Sequence, residues 1–369
     1  MPKGKTMLAS IVERGKMKQH KSQWYNLRPI LGMANWAIFY VLLGARETGK
    51  SYAVTNYMVD QFVNKGIPFV WLRLTDRQSQ KLLQNNAEKL VDPDIRRKYN
   101  LDLVTNGTNV YQVTKRTEPD KNGKTKVLEK KLMARVLNLS TFYTDKGSIF
   151  DKDFLNDPNM RYNIACDEFE REKGEKNTFD ILYALTNQLE NLVRSTKERI
   201  KVFFMGNTLE EASDILCAFN FIPENFGTYK LKKKRCVIDY IRPSELYLQR
   251  RKGSIADILM PQASTFTNQI DVDKTLITKR RLVAPQYIIK FSKDRNDWYT
   301  VWNNAIVAKY QGERGKPVIP MRPYLDELYS MDGVKAVIEQ FDTRSFQFRN
   351  LITFKRFQSE LRLLKPRNN

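Results

Sequence analysis

The feature that most restricts the fold of this chain is a glycine-rich loop between an apolar run and an amphipathic segment. Residues 44–51 read GARETGKS, which fits the phosphate-loop pattern G-x-x-x-x-G-K-[ST]. The apolar run WAIFYVLL, residues 36–43, precedes it and is typical of a strand buried on both faces. Apolar residues at helical spacing follow it up to Gly66, and a second apolar run occupies residues 67–74. This order predicts a strand–loop–helix–strand unit, the setting in which the pattern binds a nucleotide.

Each part of the loop has an expected chemical role. Backbone N–H groups would surround the phosphates at the start of the following helix, where the helix dipole favours anions. Lys50 is expected to place its positive charge against the β- and γ-phosphates, and the Ser51 hydroxyl to ligate Mg²⁺. The predicted nucleotide-binding residues of the loop are Gly44, Ala45, Arg46, Glu47, Thr48, Gly49, Lys50 and Ser51. The predicted cofactors are therefore ATP and Mg²⁺.

Two adjacent acidic residues follow a third apolar run. In RYNIACDEFE, residues 161–170, Asp167 and Glu168 come directly after the apolar NIAC. Neighbouring carboxylates repel each other unless a cation or a reaction makes use of them. As a Walker B pair, Asp167 would hold Mg²⁺ through water, and Glu168 would deprotonate the attacking water. An acidic turn at a strand end is the alternative interpretation, but together with the phosphate loop the pair predicts ATP hydrolysis rather than transfer to a bound acceptor.

Further candidate residues lie at the ends of two predicted elements. The apolar run IKVFFMGN, residues 200–207, is a fourth predicted core strand, and Asn207 at its end is the candidate to contact the γ-phosphate. Motors that hydrolyse ATP usually add an arginine from a neighbouring subunit. Arg194 and Arg199, near the end of the helix predicted over 178–199, are the candidates for that arginine. Weaker candidates for the charge of the nucleotide are Arg46 and Arg73.

The charge balance indicates a polyanionic partner. The 369 residues include 63 Lys and Arg against 41 Asp and Glu, a net charge of +22, while 41% hydrophobic residues predict a folded protein. Nucleic acid would relieve the self-repulsion of such an excess, and a membrane surface is the other polyanion considered. No apolar run approaches the ~18 residues of a spanning helix, and the basic N-terminus lacks the apolar centre of a signal peptide. We therefore expect nucleic acid as the partner and no membrane.

Histidine and cysteine chemistry is limited in this sequence. The single histidine, His20, lies among lysines, so neither a histidine metal site nor a Ser-His-Asp triad can be assembled. The three cysteines, Cys166, Cys217 and Cys236, are far apart and are expected to be reduced cytoplasmic thiols. Hydrolysis would therefore depend on carboxylates, Lys, Arg and Mg²⁺.

Basic residues also recur away from the loop. Such runs could follow a phosphate backbone without reading bases. The aromatic residues are not arranged as a stacking platform, which favours double-stranded over single-stranded nucleic acid. The candidate DNA-binding residues are Arg77, Lys81, Lys124 and Lys126.

The element pattern predicts an α/β fold with a mainly parallel central sheet, followed by an α+β domain. A largely solvated antiparallel insertion is expected over 103–137, with its hairpin turn at Asn122-Gly123. The predicted regions are a basic arm (1–30), a P-loop ATPase domain (31–227), a basic linker or lid subdomain (228–262) and a C-terminal α+β domain (263–369).

Four strings together resemble the DNA-packaging ATPases of phi29-like podophages, namely LGARETGKSYAV, ACDEFEREK, LENLVRS and FFMGN. The resemblance covers roughly residues 35–230, and the C-terminal part matches only in size and strand pattern. It implies a P-loop ATPase of the ASCE superfamily, related to large terminases and joined by a linker to an RNase H-like domain. It assigns phosphate binding to Lys50, Mg²⁺ binding and water activation to Asp167 and Glu168, and a trans-acting arginine finger to Arg194, with Arg199 left open.

The resemblance also bears on nuclease activity. Related headful-packaging terminases carry acids on the core strands of an active nuclease domain. Here the strand QYIIKFS has no acid, and Asp294 and Asp297 fall in the following turn. A vestigial nuclease fold without cleavage is therefore expected.

The expected function is a motor that pumps double-stranded DNA into a viral procapsid. By resemblance it would act as a homomeric ring, a pentamer, docked on the portal in the host bacterial cytoplasm, and a packaging RNA is left open as a further partner. Two alternatives stay open: another nucleic-acid-translocating P-loop ATPase of helicase or plasmid-transfer type, and a nucleotide-switched DNA-binding assembly protein. DNA-stimulated ATPase activity separates the motors from the switch.

Overall fold

Two compact units make up the chain. The computed structural model describes residues 13–14, 24–118, 125–140, 162–169, 181–193, 200–207, 214–259 and 276–364. Unit 1 comprises Met1–Leu209 and Pro223–Ile270, and unit 2 comprises Glu210–Ile222 and Asp271–Asn369. Unit 2 therefore begins close to the predicted boundary at 263, but it also includes residues 210–222, which the sequence pattern assigned to the first domain.

A mostly parallel sheet is the framework of unit 1. Its strands are β1 (Glu13–Arg14), β2 (Phe39–Leu43), β3 (Phe69–Arg73), β4 (Leu103–Asn106), β5 (Asn109–Arg116), β6 (Val127–Asn138), β7 (Tyr162–Asp167), β8 (Ile200–Gly206), β9 (Gly227–Leu231) and β10 (Cys236–Tyr240). They lie in the order β1-β9-β10-β2-β8-β7-β3-β6-β5-β4, and the six from β10 to β6 are parallel to one another. Strands β2, β3, β7 and β8 are almost entirely buried, as their continuous apolar runs predict. The expected α/β class with a mainly parallel sheet is confirmed.

Helices connect and cover these strands. In unit 1 they are α1 (Arg28–Met33), α2 (Lys50–Lys65), α3 (Asp76–Ala87), α4 (Pro93–Tyr99), α5 (Ile181–Val193), α7 (Glu245–Arg251) and α8 (Ile255–Leu259). Helix α6 (Asp214–Ala218) belongs to unit 2. Helix α2 is the predicted helix after the loop; it buries Val54, Met58 and Phe62 and ends at Gly66, whose N–H donates to two carbonyls of the last turn. In the described ranges no helix combines the length and apolarity needed to cross a membrane.

The predicted antiparallel insertion is part of the central sheet. Strands β4, β5 and β6 do pair antiparallel, but β6 also pairs parallel with β3, from Phe69 opposite Ala134 to Arg73 opposite Asn138. The second half of β6 is mostly buried because it is covered on both faces, while its first half is exposed. The expectation of a mostly solvated insertion over 103–137 is therefore wrong for the second half of its last strand. The predicted turn at Asn122-Gly123 lies outside the described residues.

The basic segment predicted as a linker begins with two sheet strands. Strand β10 pairs parallel with β2, and β9 pairs antiparallel with β10, so the prediction of a linker over 228–262 is wrong for residues up to 240. The run Lys232–Lys234 forms the tight turn between these strands, which keeps its charges in solvent while Val237 and Ile238 enter the core. Because the turn between them is so highly charged, the two short strands could not be predicted from the sequence pattern.

The N-terminal arm also differs from the expectation. Strand β1 pairs antiparallel with β9. From Tyr25 onward the chain belongs to the core of unit 1, where Tyr25, Leu27 and Ile30 are buried. The arm predicted over 1–30 therefore ends before Tyr25, since these apolar side chains pack in the core that the sheet and α2 share.

Unit 2 is an α+β fold, as predicted. Its strands are β11 (Pro285–Lys290), β12 (Trp298–Trp302), β13 (Ile306–Lys309), β14 (Val318–Pro320) and β15 (Gln347–Phe348), in the order β14-β11-β12-β13-β15. Strands β11, β12 and β13 are antiparallel, and β14 and β15 pair parallel at the two edges. Helices α9 (Met331–Asp342) and α10 (Leu351–Leu364) pack on an aromatic core that includes Phe291, Tyr299 and Phe357.

The three cysteines are free thiols inside the fold. Cys166, Cys217 and Cys236 are all buried. Burial raises the pKa of the Cys166 and Cys236 thiols well above the ordinary range, so both are protonated at neutral pH. They fill core space, as the sequence indicated.

Candidate nucleotide site

The glycine-rich loop joins the end of β2 to the start of α2, at the carboxyl edge of the parallel strands. Two of its residues adopt left-handed backbone conformations, Glu47 at φ 60° and Gly49 at φ 87°. The backbone of residue 49 requires glycine for its conformation, and a Cβ atom there would also make a tight contact, 3.3 Å, with Cε3 of Trp24. The loop therefore curls over the N-terminus of α2, where backbone dipoles favour an anion.

Lys50 lies inside this curl. Its ammonium Nζ donates to the carbonyl oxygens of Gly44, at 2.7 Å, and Ala45, at 2.8 Å, and lies 3.4 Å from Oδ1 of Asn207. The residue is only 6% exposed. Burial lowers the pKa of Lys50 to about 8, and the carboxylates of Asp167 and Glu168 act against that shift. A buried cation of this kind favours an incoming polyanion.

Because of this lowered pKa, we expect the affinity for ATP to fall as the pH rises above about 8. Bound phosphates stabilise the ammonium form, so binding takes up a proton and the dissociation constant rises by at most about tenfold per pH unit. For folding without ATP the sign is opposite: the unfolded chain, with its ordinary value of 10.5, binds the proton more tightly, so stability rises from about pH 8 to 10.5.

Calorimetric titration of ATP, in pairs of buffers with different ionisation enthalpies, measures this proton uptake. Lys50→Arg is the control, because a guanidinium keeps its charge throughout and should flatten the profile. A dissociation constant that does not change across this range in the unaltered protein would contradict the prediction.

Ser51 and Asp167 meet at the base of the loop. The Ser51 hydroxyl donates to Oδ1 of Asp167 over 3.1 Å, joining the first turn of α2 to the end of β7. Burial raises the pKa of Asp167, and the neighbouring Arg73 guanidinium opposes that rise. Hydroxyl and carboxylate oxygens are hard ligands of the kind that Mg²⁺ prefers, and such sites take their other ligands from water and substrate phosphates. The donor set therefore fits Mg²⁺.

Arg73 has a position that the sequence did not indicate. It ends β3, and its guanidinium bonds to both acidic residues, from Nη1 to Oδ2 of Asp167 at 2.7 Å and from Nη2 to Oε2 of Glu168 at 2.8 Å. Asp167 is 13% exposed and Glu168 44% exposed. Glu168 has a left-handed backbone, φ 55°, and its N–H donates to the Met205 carbonyl on β8. Rather than meeting the nucleotide directly, Arg73 neutralises and orients the acidic pair.

A cavity of about 410 Å³ joins these groups. Asn207, at the end of β8, lines it beside Lys50. Strand β8 lies between β2 and β7, so its end falls between the loop and the acidic pair. The lining residues are Arg46, Glu47, Thr48, Gly49, Lys50, Ser51, Tyr52, Asp167, Glu168, Met205 and Asn207. The structure thus brings the loop, the acidic pair and Asn207 together around one cavity, with Gly44 and Ala45 at its base holding Lys50.

Helix α7 contacts the outer side of the loop, a contact that the sequence did not indicate. The Tyr247 hydroxyl donates to the Arg46 carbonyl over 2.9 Å, and Arg250 and Arg251 contact Glu47. The only local signal is the spacing of Tyr247, Arg250 and Arg251, which places all three on one face of a helix. That spacing does not predict that these side chains contact the loop, which lies about 200 residues earlier in the sequence.

Several predicted residues lie elsewhere. Arg194, Arg199 and Lys124 are outside the described residues. Of the DNA-binding candidates, Arg77 and Lys81 are exposed on α3, and Lys126 is exposed just before β6. None of these three lines the cavity.

Comparison with known proteins shows consistent similarities. The family model of the Podovirus DNA encapsidation protein (Gp16) matches residues 19–312. The DNA packaging protein of Bacillus phage phi29 is 26% identical over 208 residues, 55% of this chain and 52% of that protein, so the chain spans about half the length of the curated relatives it matches.

Two solved structures share the fold. The bacteriophage phi29 viral genome packaging motor assembly gives a TM-score of 0.59 at 18% identity, covering 93% of this chain and 100% of that one. The phi28 gp11 DNA packaging motor gives 0.62 at 14% identity, covering 94% and 99%.

Proposed function

The chain belongs to the Podovirus DNA encapsidation protein (Gp16) family, and from that premise we propose that it is a motor that hydrolyses ATP to move double-stranded DNA into a viral procapsid. The observation that carries the proposal is the cluster of Lys50, Ser51, Asp167 and Glu168 around one cavity at the carboxyl edge of the parallel sheet. Phosphate-binding and water-activating groups that meet in this way support hydrolysis, and the +22 charge supports DNA as the substrate that is moved.

Each residue has a defined part in the proposed mechanism. Lys50 and the N-terminus of α2 bind the phosphates, and Asn207 faces the γ-phosphate. Ser51 and Asp167 would hold Mg²⁺, which would neutralise phosphate charge when bound. Glu168 accepts the proton of the attacking water on Oε1, while Arg73 donates to Oε2 and so orients the carboxylate.

The strand order of unit 1 supports the ASCE class of P-loop ATPases. In that class an additional strand separates the phosphate-loop strand from the strand that carries the Mg²⁺ aspartate and the catalytic glutamate. Here β8 lies between β2 and β7, and Glu168 directly follows Asp167. Unit 2 is assigned the vestigial RNase H-like fold of the family, supported by its antiparallel β11-β12-β13 with β14 parallel beside β11.

We expect no nuclease activity from unit 2. Asp294 and Asp297 follow β11, where they stabilise the turn into β12: the Asn296 N–H donates to Asp294 at 2.9 Å and the Ser292 hydroxyl to Asp297 at 2.6 Å. Carboxylates used in this way hold a turn rather than a metal pair.

The proposed assembly is a ring of identical subunits on the portal of the procapsid, in the host bacterial cytoplasm. A pentamer and an arginine finger at Arg194, with Arg199 as the alternative, follow from the resemblance to the phi29-like ATPases. The exposed Arg77, Lys81 and Lys126 are the proposed DNA contacts, together with Lys124, and an RNA scaffold stays open as a further partner.

Two measurements on the purified chain test the function. ATP hydrolysis should rise when linear double-stranded DNA is added, and negative-stain images with an ATP analogue and DNA should show rings around the DNA. A rate of ATP hydrolysis that does not change when DNA is added, together with images that show no rings, would instead favour the nucleotide-switched assembly protein. Unwinding of the duplex would favour a helicase.

Mixing of inactive variants tests the trans arginine. Arg194→Ala subunits keep Glu168, and Glu168→Gln subunits keep Arg194, so about a quarter of the interfaces in a randomly mixed ring regain both groups. We expect the mixture to recover ATP hydrolysis that neither variant shows alone. Mixing Glu168→Gln with Lys50→Ala is the control, because both groups act within their own subunit and every site containing one of them stays inactive. No recovery with Arg194→Ala would exclude this residue as the finger, and recovery with Arg199→Ala would transfer the role there.

A further inference from the structure

All five carbonyl oxygens of the loop from Gly44 to Thr48 accept hydrogen bonds from the protein. Lys50 donates to the first two, and the backbone N–H of Tyr25 donates to the Thr48 carbonyl at 2.8 Å. The two in the middle, those of Arg46 and Glu47, are bound from helix α7. The loop carbonyls are therefore held by Lys50 from inside the curl, by the Tyr25 N–H and by α7, which holds the tip.

Three side chains of α7 make the contacts to the tip. Tyr247, which is 1% exposed, donates its hydroxyl to the Arg46 carbonyl over 2.9 Å. Arg250 donates from Nη2 to the Glu47 carbonyl, and Arg251 from Nη1 to Oε1 of Glu47, each at 2.8 Å. The Arg251 side chain is 14% exposed and that of Glu47 is 58% exposed, so the guanidinium is largely buried while the carboxylate reaches solvent. The Tyr247 N–H is in turn fixed by the Ser244 hydroxyl that caps the helix.

These contacts determine where the loop amides point. Each peptide of the described chain is trans, so a carbonyl held outward turns the N–H of the following residue to the opposite side. Bonds to the carbonyls of Arg46 and Glu47 therefore direct the N–H groups of Glu47 and Thr48 toward the cavity that both residues line. Glu47 must also keep a left-handed backbone, φ 60°, which a non-glycine residue holds only when its surroundings impose it.

We propose that α7 is the element that shapes the phosphate loop for its ligand, with Tyr247 and Arg251 as positioning residues for the triphosphate of ATP. Neither side chain lines the cavity. Tyr247 acts through the Arg46 carbonyl, and Arg251 acts through the Glu47 carboxylate. The inference rests on the proposed nucleotide site. It predicts that ATP affinity depends on a helix that begins about 200 residues after the loop.

Replacement of one hydroxyl group is the cleanest test. Tyr247→Phe should weaken ATP binding about two- to tenfold, the range for one lost buried hydrogen bond. KM should rise while kcat at saturating ATP stays within about twofold, because the loop binds the ground state and the transition state alike. Tyr229→Phe is the matched control, since that hydroxyl donates to the Asn225 carbonyl over 2.6 Å away from the loop. Equal ATP affinities in the two variants would overturn the proposal.

The ion pair is tested by a double-mutant cycle. Glu47→Gln and Arg251→Gln should each weaken ATP binding, and the double variant should be no weaker than the worse single variant, because each residue acts through the other. Additive losses would show that Arg251 does not act through Glu47. Arg250 is less suitable for this test because its guanidinium also lies over the Trp24 ring, 4.3 Å from the centroid.

A measurement without nucleotide separates this inference from the proposed function. Hydrogen exchange of the segment 44–52 in ATP-free protein should be faster in Tyr247→Phe than in Tyr229→Phe. If the unaltered protein failed to bind ATP, the proposed function would fall, and the exchange rates would still decide whether α7 holds the loop. Unchanged exchange in Tyr247→Phe would reject the role of α7 even if ATP binds as proposed.

Discussion

Glu168→Gln should lower DNA-stimulated ATP hydrolysis about 10²- to 10⁴-fold, the usual contribution of a general base. The side chain keeps its size, and its amide oxygen can still accept from Nη2 of Arg73, the bond that now measures 2.8 Å. What it loses is the ability to take a proton from water. Turnover should therefore fall while the dissociation constant for Mg·ATP stays within about threefold, because phosphate binding depends on Lys50 and Ser51.

Two comparisons make this result specific. Glu129→Gln removes a carboxylate from an exposed ion pair, 3.9 Å from Lys115, and should leave turnover unchanged. Lys50→Ala should lose ATP binding itself, so the two site variants separate chemistry from binding. Normal turnover in Glu168→Gln would remove Glu168 as the base and leave the acidic pair with a structural role.

The parts of the site that could be predicted are those that the sequence places side by side. GARETGKS carries its own glycines, lysine and serine, and Asp167-Glu168 follows a buried strand directly, so each motif is complete within a few residues. Their meeting could be predicted as well, because the carboxyl ends of parallel strands share one edge of a sheet. Asn207 follows from the same rule.

The parts that could not be predicted depend on strand order and on distant contacts. Arg73 ends an apolar run as Asp167 does, but only the adjacency of β3 and β7 brings their side chains together. Strands β9 and β10 could not be predicted because the charged turn between them has the composition of a linker. The contacts of α7 with the loop join residues about 200 positions apart, and the periodicity of a sequence does not predict contacts at that distance.

Removal of the Arg73 guanidinium should have the largest effect on stability. Arg73→Ala leaves Asp167 and Glu168 without their shared cation, and an uncompensated, mostly buried carboxylate costs about 2–4 kcal/mol of the free energy of unfolding. Burial already raises the pKa of Asp167 above its ordinary 3.8, and loss of Arg73 removes a group that lowers it. In the variant the folded state then binds a proton more tightly than the unfolded state, so its stability falls as the pH rises from 3.8 through the raised pKa. The loss of unfolding free energy in Arg73→Ala should therefore be larger at neutral pH than at acidic pH.

Arg116→Ala is the matched comparison for this prediction, because Arg116 also bonds to a carboxylate through two nitrogens, to Asp102 at 2.5 and 2.8 Å, but in an exposed pair. Its loss should lower the free energy of unfolding far less than the loss of Arg73 does, because solvent screens an exposed ion pair. Denaturant unfolding at several pH values measures both variants. Addition of Mg·ATP distinguishes a role at the site from a merely structural one: a ligand that brings cations to the acidic pair should stabilise Arg73→Ala more than it stabilises the unaltered protein. Two results would show that Arg73 is not the group that balances the catalytic carboxylates. One is equal stabilisation of Arg73→Ala and the unaltered protein by Mg·ATP. The other is an equal loss of unfolding free energy in Arg73→Ala and Arg116→Ala.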